Sequence, residues 1–207
     1  EEGPDAVVQR IIRSAQASIA ATRAEVPGAE IIGAGIGSPG PLDTRTGIVL
    51  LTPNLGWVNM PLRARLQEGL GLRTALDNDA NCAVLGEWWR GAARGTRQAL
   101  GLTIGTGIGG GIIIDGRLYH GASDIAGEIG HMTISADGPP CSCGNYGCLE
   151  AMAGGRAIAQ RAQLAIKAGE RTLLANTGSV ESVTARHVAG AAQAVDRRGV
   201  EDPAAAR

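Results

Sequence analysis

The segment Gly105-Thr106-Gly107-Ile108-Gly109-Gly110-Gly111 packs five glycines into seven residues between two apolar runs. Glycine loses more chain entropy on folding than any other residue, so such a density implies close backbone approach to something. The spacing satisfies G-x-G-x-x-G at Gly105, Gly107 and Gly110. A dinucleotide fold needs a helix directly after such a loop, with its N-terminus on the pyrophosphate. Here Ile112-Ile113-Ile114-Asp115-Gly116 follows, which reads as a strand and a hairpin turn. No Gly-Lys-Ser/Thr closes the run, so a P-loop is excluded as well. What remains is a glycine loop joining two strands. Its successive N–H groups and the Thr106 hydroxyl could converge on a phosphate. The plainer alternative is a sheet corner that needs small residues.

Around that loop, helical and strand patterns alternate. Val8, Ile11, Ile12, Ala15 and Ile19 recur at helical spacing, which predicts a helix over 5–25, ended by Pro27-Gly28. Residues 31–37 read as a short buried strand, followed by the stiff loop Gly37-Ser38-Pro39-Gly40-Pro41. Further strands are expected over 48–51, 73–76, 99–104 and 111–114. Helices are expected from Pro61, over 82–90, over 155–168 and over 183–195. Such alternation predicts an α/β protein. Phe is absent, so the core must draw on Ala, Leu, Ile and Val. The tail from Arg197 is polar and Ala-rich, and reads as unfinished rather than capped.

The bulk properties narrow the partners. Lys+Arg number 19 against 20 Asp+Glu, so no basic face for nucleic acid is implied. No apolar run approaches the roughly 18 residues a membrane helix needs. The chain opens Glu1-Glu2-Gly3-Pro4-Asp5, without a secretory pattern.

His131, Cys141, Cys143 and Cys148 are spaced H-x9-C-x-C-x4-C. Four N and S ligands in one short span suit tetrahedral Zn²⁺. Three thiolates and one imidazole fill every position, so the zinc would be structural rather than catalytic. Unligated thiols are more often scattered and singly buried, whereas these lie among Pro139, Pro140, Gly144, Asn145 and Gly147. With so few cysteines in a chain of this size, metal ligation in a reducing cytosol is expected over a disulfide scaffold.

Asp77-Asn78-Asp79-Ala80-Asn81 follows a predicted strand and precedes a predicted helix, where open α/β folds meet their ligands. A helix N-cap alone would need one of these polar residues. Glu128 lies three residues before His131, and Glu150 two after Cys148. A metal-pinned loop would hold both carboxylates toward one space, although each alone is more often a solvated surface residue. Carboxylates with Asn and His suit a sugar, whose hydroxyls need directional donors and acceptors.

These segments resemble the ROK family, which comprises bacterial sugar kinases and sugar-responsive repressors on the actin-like ATPase (ribonuclease H-like) fold. The resemblance is carried by Gly37-Ser38-Pro39-Gly40-Pro41-Leu42-Asp43, by Asp77-Asn78-Asp79-Ala80-Asn81, and by the run from Leu102 through Gly111. It is carried further by Gly127-Glu128-Ile129-Gly130-His131 and by Cys141-Ser142-Cys143-Gly144-Asn145-Tyr146-Gly147-Cys148-Leu149-Glu150. Within the family, the glucokinase pattern is nearest.

The resemblance implies ATP-dependent phosphorylation of a hexose at its 6-hydroxyl, with Mg²⁺ on the nucleotide. Asp79 matches the general base and Asn78 a ligand of neighbouring hydroxyls. Gly40 matches a backbone contact to the sugar, and Glu128, His131 and Glu150 match further sugar contacts. His131 would then serve zinc and sugar through its two ring nitrogens. Gly105, Thr106, Gly107, Gly109, Gly110 and Gly111 match the second phosphate loop for ATP. The resemblance further implies a two-lobed cytoplasmic enzyme that forms homo-oligomers. Residues 1–84 would belong to the N-terminal lobe, and 85–207 to the larger lobe that holds the zinc loop 131–148. The family's opening Asp-x-Gly-Gly-Thr phosphate loop has no match here, nor does its adenosine-binding Gly-Gly stretch. The chain therefore reads as an inner portion, incomplete in fold and weak or inactive by itself. The rival within the family is a sugar-sensing repressor, which would need a helix-turn-helix before residue 1. The intact Asp79 motif and second glycine loop favour the kinase.

Overall fold

The computed structural model describes residues 3–52, 55–170, 172–176 and 178–201. Glu1, Glu2 and the end of the polar tail, residues 202–207, lie outside the described residues. The chain divides into two compact units. One comprises Glu1–Leu102 and Gly110–Gly127, the other Thr103–Gly109 and Glu128–Arg207.

The first unit opens with α1 (Pro4–Glu25), whose first position is a proline. There the missing N–H costs nothing and the fixed φ suits a helix. Val8 and Ile12 point inward from α1 onto Leu62 and Leu66 of α2 (Leu62–Leu70) in one core cluster. The cluster also takes Leu42, Val49, Trp57 and Met60 from an antiparallel meander of β2 (Leu42–Asp43), β3 (Ile48–Thr52) and β4 (Trp57–Met60). The core thus uses Trp57, 2% exposed, and Met60 where the composition pointed to aliphatic residues alone. The meander went largely unpredicted, since β2 is two residues long and β4 is four.

A parallel pair, β1 (Ala34–Ser38) and β5 (Thr74–Asn78), sets Gly37 opposite Asp77 and Ser38 opposite Asn78. The strand expected over 31–37 therefore starts three residues later. It is not buried throughout: its residues alternate between sheltered and exposed, and Ile32 stays 86% exposed before it. The physical reason is that successive strand residues face opposite sides of the sheet, so period-two exposure reports one covered face and one open face. Gly40 turns the chain from β1 into β2 at φ +89°, and a Cβ there would lie 2.2 Å from the Leu51 carbonyl oxygen. No other residue fits that turn. β5 passes without a break into α3 (Asp79–Arg90).

The third sheet has the order β6 (Ala99–Ile104), β7 (Ile108–Ile114), β8 (Arg117–Leu118). The predicted hairpin turn at Asp115-Gly116 forms, with positive φ at both residues (51° and 74°), as a type I′ turn requires. Strand β7 starts earlier than the predicted 111, so Gly109, Gly110 and Gly111 are strand residues and the loop shrinks to its first three positions. The reason lies in α3. A Cβ at Gly111 would stand 2.9 Å from Val84 Cβ, and one at Gly101 would stand 2.4 Å from Val84 Cγ2. The glycines let a helix lie close against the sheet.

The second unit is mainly helical: α4 (Leu149–Ala153), α5 (Gly155–Lys167) and α6 (Ala185–Glu201). Among the described residues Ile108, Cys148, Ala157, Leu174 and Val183 are buried in this unit, and Gln163 Nε2 donates to the Val183 carbonyl at 2.9 Å. The helix expected over 183–195 is α6, which runs on to Glu201 through the start of the tail.

Candidate functional site

In the first unit, the junction of β5 and α3 displays its polar residues in a defined order. Asn78 is the N-cap of α3, and its Oδ1 accepts from the N–H groups of Ala80 (2.8 Å) and Asn81 (3.1 Å). That satisfies two of the orphan donors of the first turn. The capping role, an alternative on sequence grounds, is thus real for Asn78 and occupies its oxygen. Asp79 occupies the first helical position and is exposed. Its Oδ1 accepts from Ala80 N–H at 2.9 Å, and its Oδ2 has no partner among the described residues. The helix N-terminus favours the charged carboxylate there. Gly37 makes room for it: a Cβ at Gly37 would stand 3.1 Å from Asp79 Cα. Behind them, burial pushes the Cys82 thiol up, with the Asp77 and Asp79 charges adding to it. Cys82 is therefore a neutral thiol in this site.

Sequence reasoning passed over His120 here and gave Asn81 no role beyond its place in the motif. His120 Nε2 lies 2.7 Å from Asp77 Oδ2, and Asn81, 3% exposed, donates from Nδ2 to Asp77 Oδ1 at 3.0 Å. His120 stands in no local motif, so only the fold could find it. A groove of about 950 Å³ in this unit lies elsewhere, beside Gly33, Arg63, Gln67 and Thr74, and includes none of the predicted site residues.

In the second unit, the glycine turn, the metal cluster and both glutamates are near one another in the fold. Gly105 N–H donates to the Gly107 carbonyl at 2.9 Å, which closes the turn. The start of α5 docks on it: Gly155 and Arg156 donate to the carbonyls of Gly105 (2.9 Å) and Thr106 (3.0 Å). Glu150, in the first turn of α4, accepts from Ile108 N–H at 2.8 Å. A Cβ at Gly107 would lie 2.2 Å from Glu150 Oε2, so the carboxylate rests directly on that glycine. The Thr106 N–H and hydroxyl and the Gly107 N–H keep no partner among the described residues. These three donors are available to a phosphate.

The ligand atoms of His131, Cys141, Cys143 and Cys148 all lie within 4.8 Å of one another. His131 Nδ1 is 3.6 Å from Cys141 Sγ, and the Cys143 and Cys148 sulfurs are 3.7 Å apart. A tetrahedron with Zn–S bonds of about 2.3 Å has edges of roughly 3.8 Å, so the residues fit a zinc ion. Turn chemistry builds this cage. Gly144 and Gly147 adopt positive φ (92° and 61°), and Cys141 N–H donates to the Asn145 carbonyl at 2.8 Å. A Cβ at Gly147 would stand 1.7 Å from the Ser135 carbonyl oxygen. Cys148 is fully buried while Cys143 is exposed, and their thiols part accordingly. Burial pushes Cys148 up to about 12, with the Cys143 and Cys141 sulfurs adding to it. The Asn145 N–H holds Cys143 below the usual thiol range. Three crowded sulfurs cannot all ionise unless a cation sits among them. The other ring nitrogen of His131, Nε2, faces Glu128 Oε2 at 3.8 Å. One imidazole therefore points at both the sulfur cluster and a carboxylate.

The model of the ROK family matches residues 2–201. A glucokinase of Halalkalibacterium halodurans is 42% identical over 81% of this chain and 51% of its own length. A glucokinase of Thermotoga maritima is 42% identical over 95% of this chain and 61% of its own. A xylose repressor of Caldicellulosiruptor bescii is 41% identical over 79% of this chain and 41% of its own. The chain thus spans about half to three fifths of the length of the glucokinases it matches. Among solved structures, a ROK family transcriptional regulator homologous to the E. coli MLC protein superposes with a TM-score of 0.80 at 30% identity, over 93% of this chain and 48% of that one. The Streptomyces griseus glucokinase, solved in complex with glucose and AMPPNP, gives 0.73 at 35% identity, over 89% of this chain and 60% of that one.

Proposed function

The chain belongs to the ROK family, and on that premise we propose that it is part of an ATP-dependent hexose kinase of the glucokinase kind. Its α/β fold is part of the actin-like fold of the ROK sugar kinases. The observation that carries the functional reading is Asp79. It is an exposed carboxylate at the first position of α3, with one oxygen held by its neighbour's N–H and the other without a partner among the described residues.

In this reading, the Asp79 carboxylate accepts the proton of the sugar's 6-hydroxyl as that oxygen bonds to the γ-phosphorus. The bond from phosphorus to the bridging oxygen breaks and ADP leaves. General-base help of this kind contributes about 100- to 10,000-fold. The remainder is positioning and charge neutralisation, which ATP carries partly with its Mg²⁺. The Thr106 and Gly107 donors would hold a phosphate oxygen. The Asn78 side-chain amide NH2, the Gly40 turn, Glu128, His131 and Glu150 would bind sugar hydroxyls. His131, Cys141, Cys143 and Cys148 would hold a structural zinc that keeps the imidazole and Glu128 in register. The division into residues 1–84 and 85–207, a homo-oligomeric state and a cytoplasmic location belong to the same proposal. Among the described residues, no helix is long and apolar enough to cross a membrane.

The test is to express the complete gene product and assay ATP-dependent phosphorylation of glucose, mannose, fructose and the N-acetylated aminosugars. Phosphorylation of one of them is expected, and inactivity on all would sink the kinase reading. The second reading, a sugar-sensing repressor, is favoured by the TM-score of 0.80 to a transcriptional regulator and by the xylose repressor at 41% identity. A helix-turn-helix encoded upstream of codon 1, with sugar-dependent operator binding, would decide for it.

A further inference from the structure

We propose that His120 is a positioning residue for Asp79, acting through Asp77 on the backbone corner that carries the expected base. Its effect on rate rests on the kinase reading, whereas its effect on the corner does not. Asp77 is the convergence point. Its Oδ2 meets His120 Nε2 at 2.7 Å, and its Oδ1 accepts from Asn78 N–H at 2.7 Å and Asn81 Nδ2 at 3.0 Å. A carboxylate only accepts, so the Nε2 of His120 carries the proton. The pair is sheltered, with side-chain exposures of 29% and 22%, so it is less screened than a surface contact.

The donors come from three elements: the end of β5, the first turn of α3 and the loop after β8. That loop is itself fixed. Tyr119 N–H donates to Ile112 O at 2.8 Å, and Ala126 N–H to His120 O at 3.1 Å. Asp124, held at φ +59°, accepts from Thr44 N–H at 2.9 Å and from Thr44 Oγ1 at 3.0 Å. His120 is therefore presented to Asp77 by a backbone already tied down on both sides.

The corner needs that anchor. Asp79 bonds only its own neighbour's N–H among the described residues, so the course of residues 78–81 sets its direction. Asn81 is buried, and its Oδ1 has no partner, which leaves Asp77 as the one side-chain partner of its amide among the described residues. If Asp77 turns away, a buried amide loses its last bond and the first turn of α3 loosens.

The experiment uses the complete gene product and its His120→Ala, His120→Gln and Asp77→Asn variants. Glutamine keeps an amide donor, and asparagine keeps the shape of Asp77 without its charge. Two quantities are read: kcat and KM with the best hexose, and hydrogen exchange of the Ala80 and Asn81 amides. His120→Ala is expected to lower kcat about tenfold, with sugar KM changed less than about twofold. It should also speed exchange at those two amides about tenfold. His120→Gln should recover most of both, and Asp77→Asn should behave like His120→Ala. Unchanged exchange in His120→Ala and Asp77→Asn would overturn the inference, as would a fall in kcat that glutamine does not restore. An unmodified protein inactive on every hexose would overturn the kinase reading alone, and the exchange measurements would still decide the role of His120.

Discussion

At the scale of single residues, the site depends on how a few carboxylates are bonded. Asp79 is exposed at a helix start and keeps one oxygen without a partner among the described residues, whereas Asp77, two residues earlier, has its oxygens taken up by His120, Asn78 and Asn81. The same sequence motif thus yields one carboxylate suited to chemistry and one suited to architecture. Replacing Asp79 by Asn keeps its shape and the bond from Ala80 N–H but removes its basicity. In the complete gene product, Asp79→Asn should bind the sugar with near-normal affinity by calorimetry. Its kcat should fall at least roughly 100-fold, and wild-type turnover would remove Asp79 from the base role. Glu150 also divides its duties. One oxygen holds Ile108 N–H over the glycine turn, and the other has no partner among the described residues.

At the scale of elements, α3 and the metal loop are the parts that substitutions can separate. Asn78 caps α3 through its side-chain oxygen. Asn78→Ala should cost about 1 kcal/mol in urea unfolding, whereas Asn78→Asp should keep that stability because aspartate caps equally well. A drop in sugar affinity for Asn78→Asp at unchanged stability would then report the exchange of the amide donor for a carboxylate rather than the loss of the cap. For the metal loop, the buried Cys148 thiol, pushed up to about 12, is protonated at neutral pH. Zinc binding must expel that proton. Affinity should therefore rise with pH through the neutral range. Calorimetry in buffers of different ionisation enthalpy should detect release of at least one proton per zinc. Binding without proton release would contradict the assignment of Cys148 as a ligand.

At the scale of the whole molecule, the two units rest on different things. The first has its own apolar core around Val8, Val49, Trp57 and Leu66. Among the described residues the second has few buried apolar side chains, and Cys148 of the cysteine cluster is one of them. Chelation should consequently release residues 128–150 to rapid hydrogen exchange while the amides of α1 and α2 stay protected. Uniform loss of protection across both units would show that the first leans on the metal too.

What could be read from residue order was local chemistry. The helix over 5–25 followed from its apolar spacing, and the Asp115-Gly116 turn from its need for positive φ. The four candidate metal ligands fall in one short segment, and the fold brings their ligand atoms within 4.8 Å of one another. Tertiary packing decided the rest, because those interactions join residues far apart along the chain and leave no local period. His120 and Asp77 are 43 positions apart. The last three glycines of the run serve strand β7, and Gly111 answers to Val84 in another element. Glu150 finds the N–H of Ile108 across 42 residues. Spacing names the groups able to act, but only the folded backbone, by bringing distant donors onto the same carboxylate, determines which of them are left free to do so.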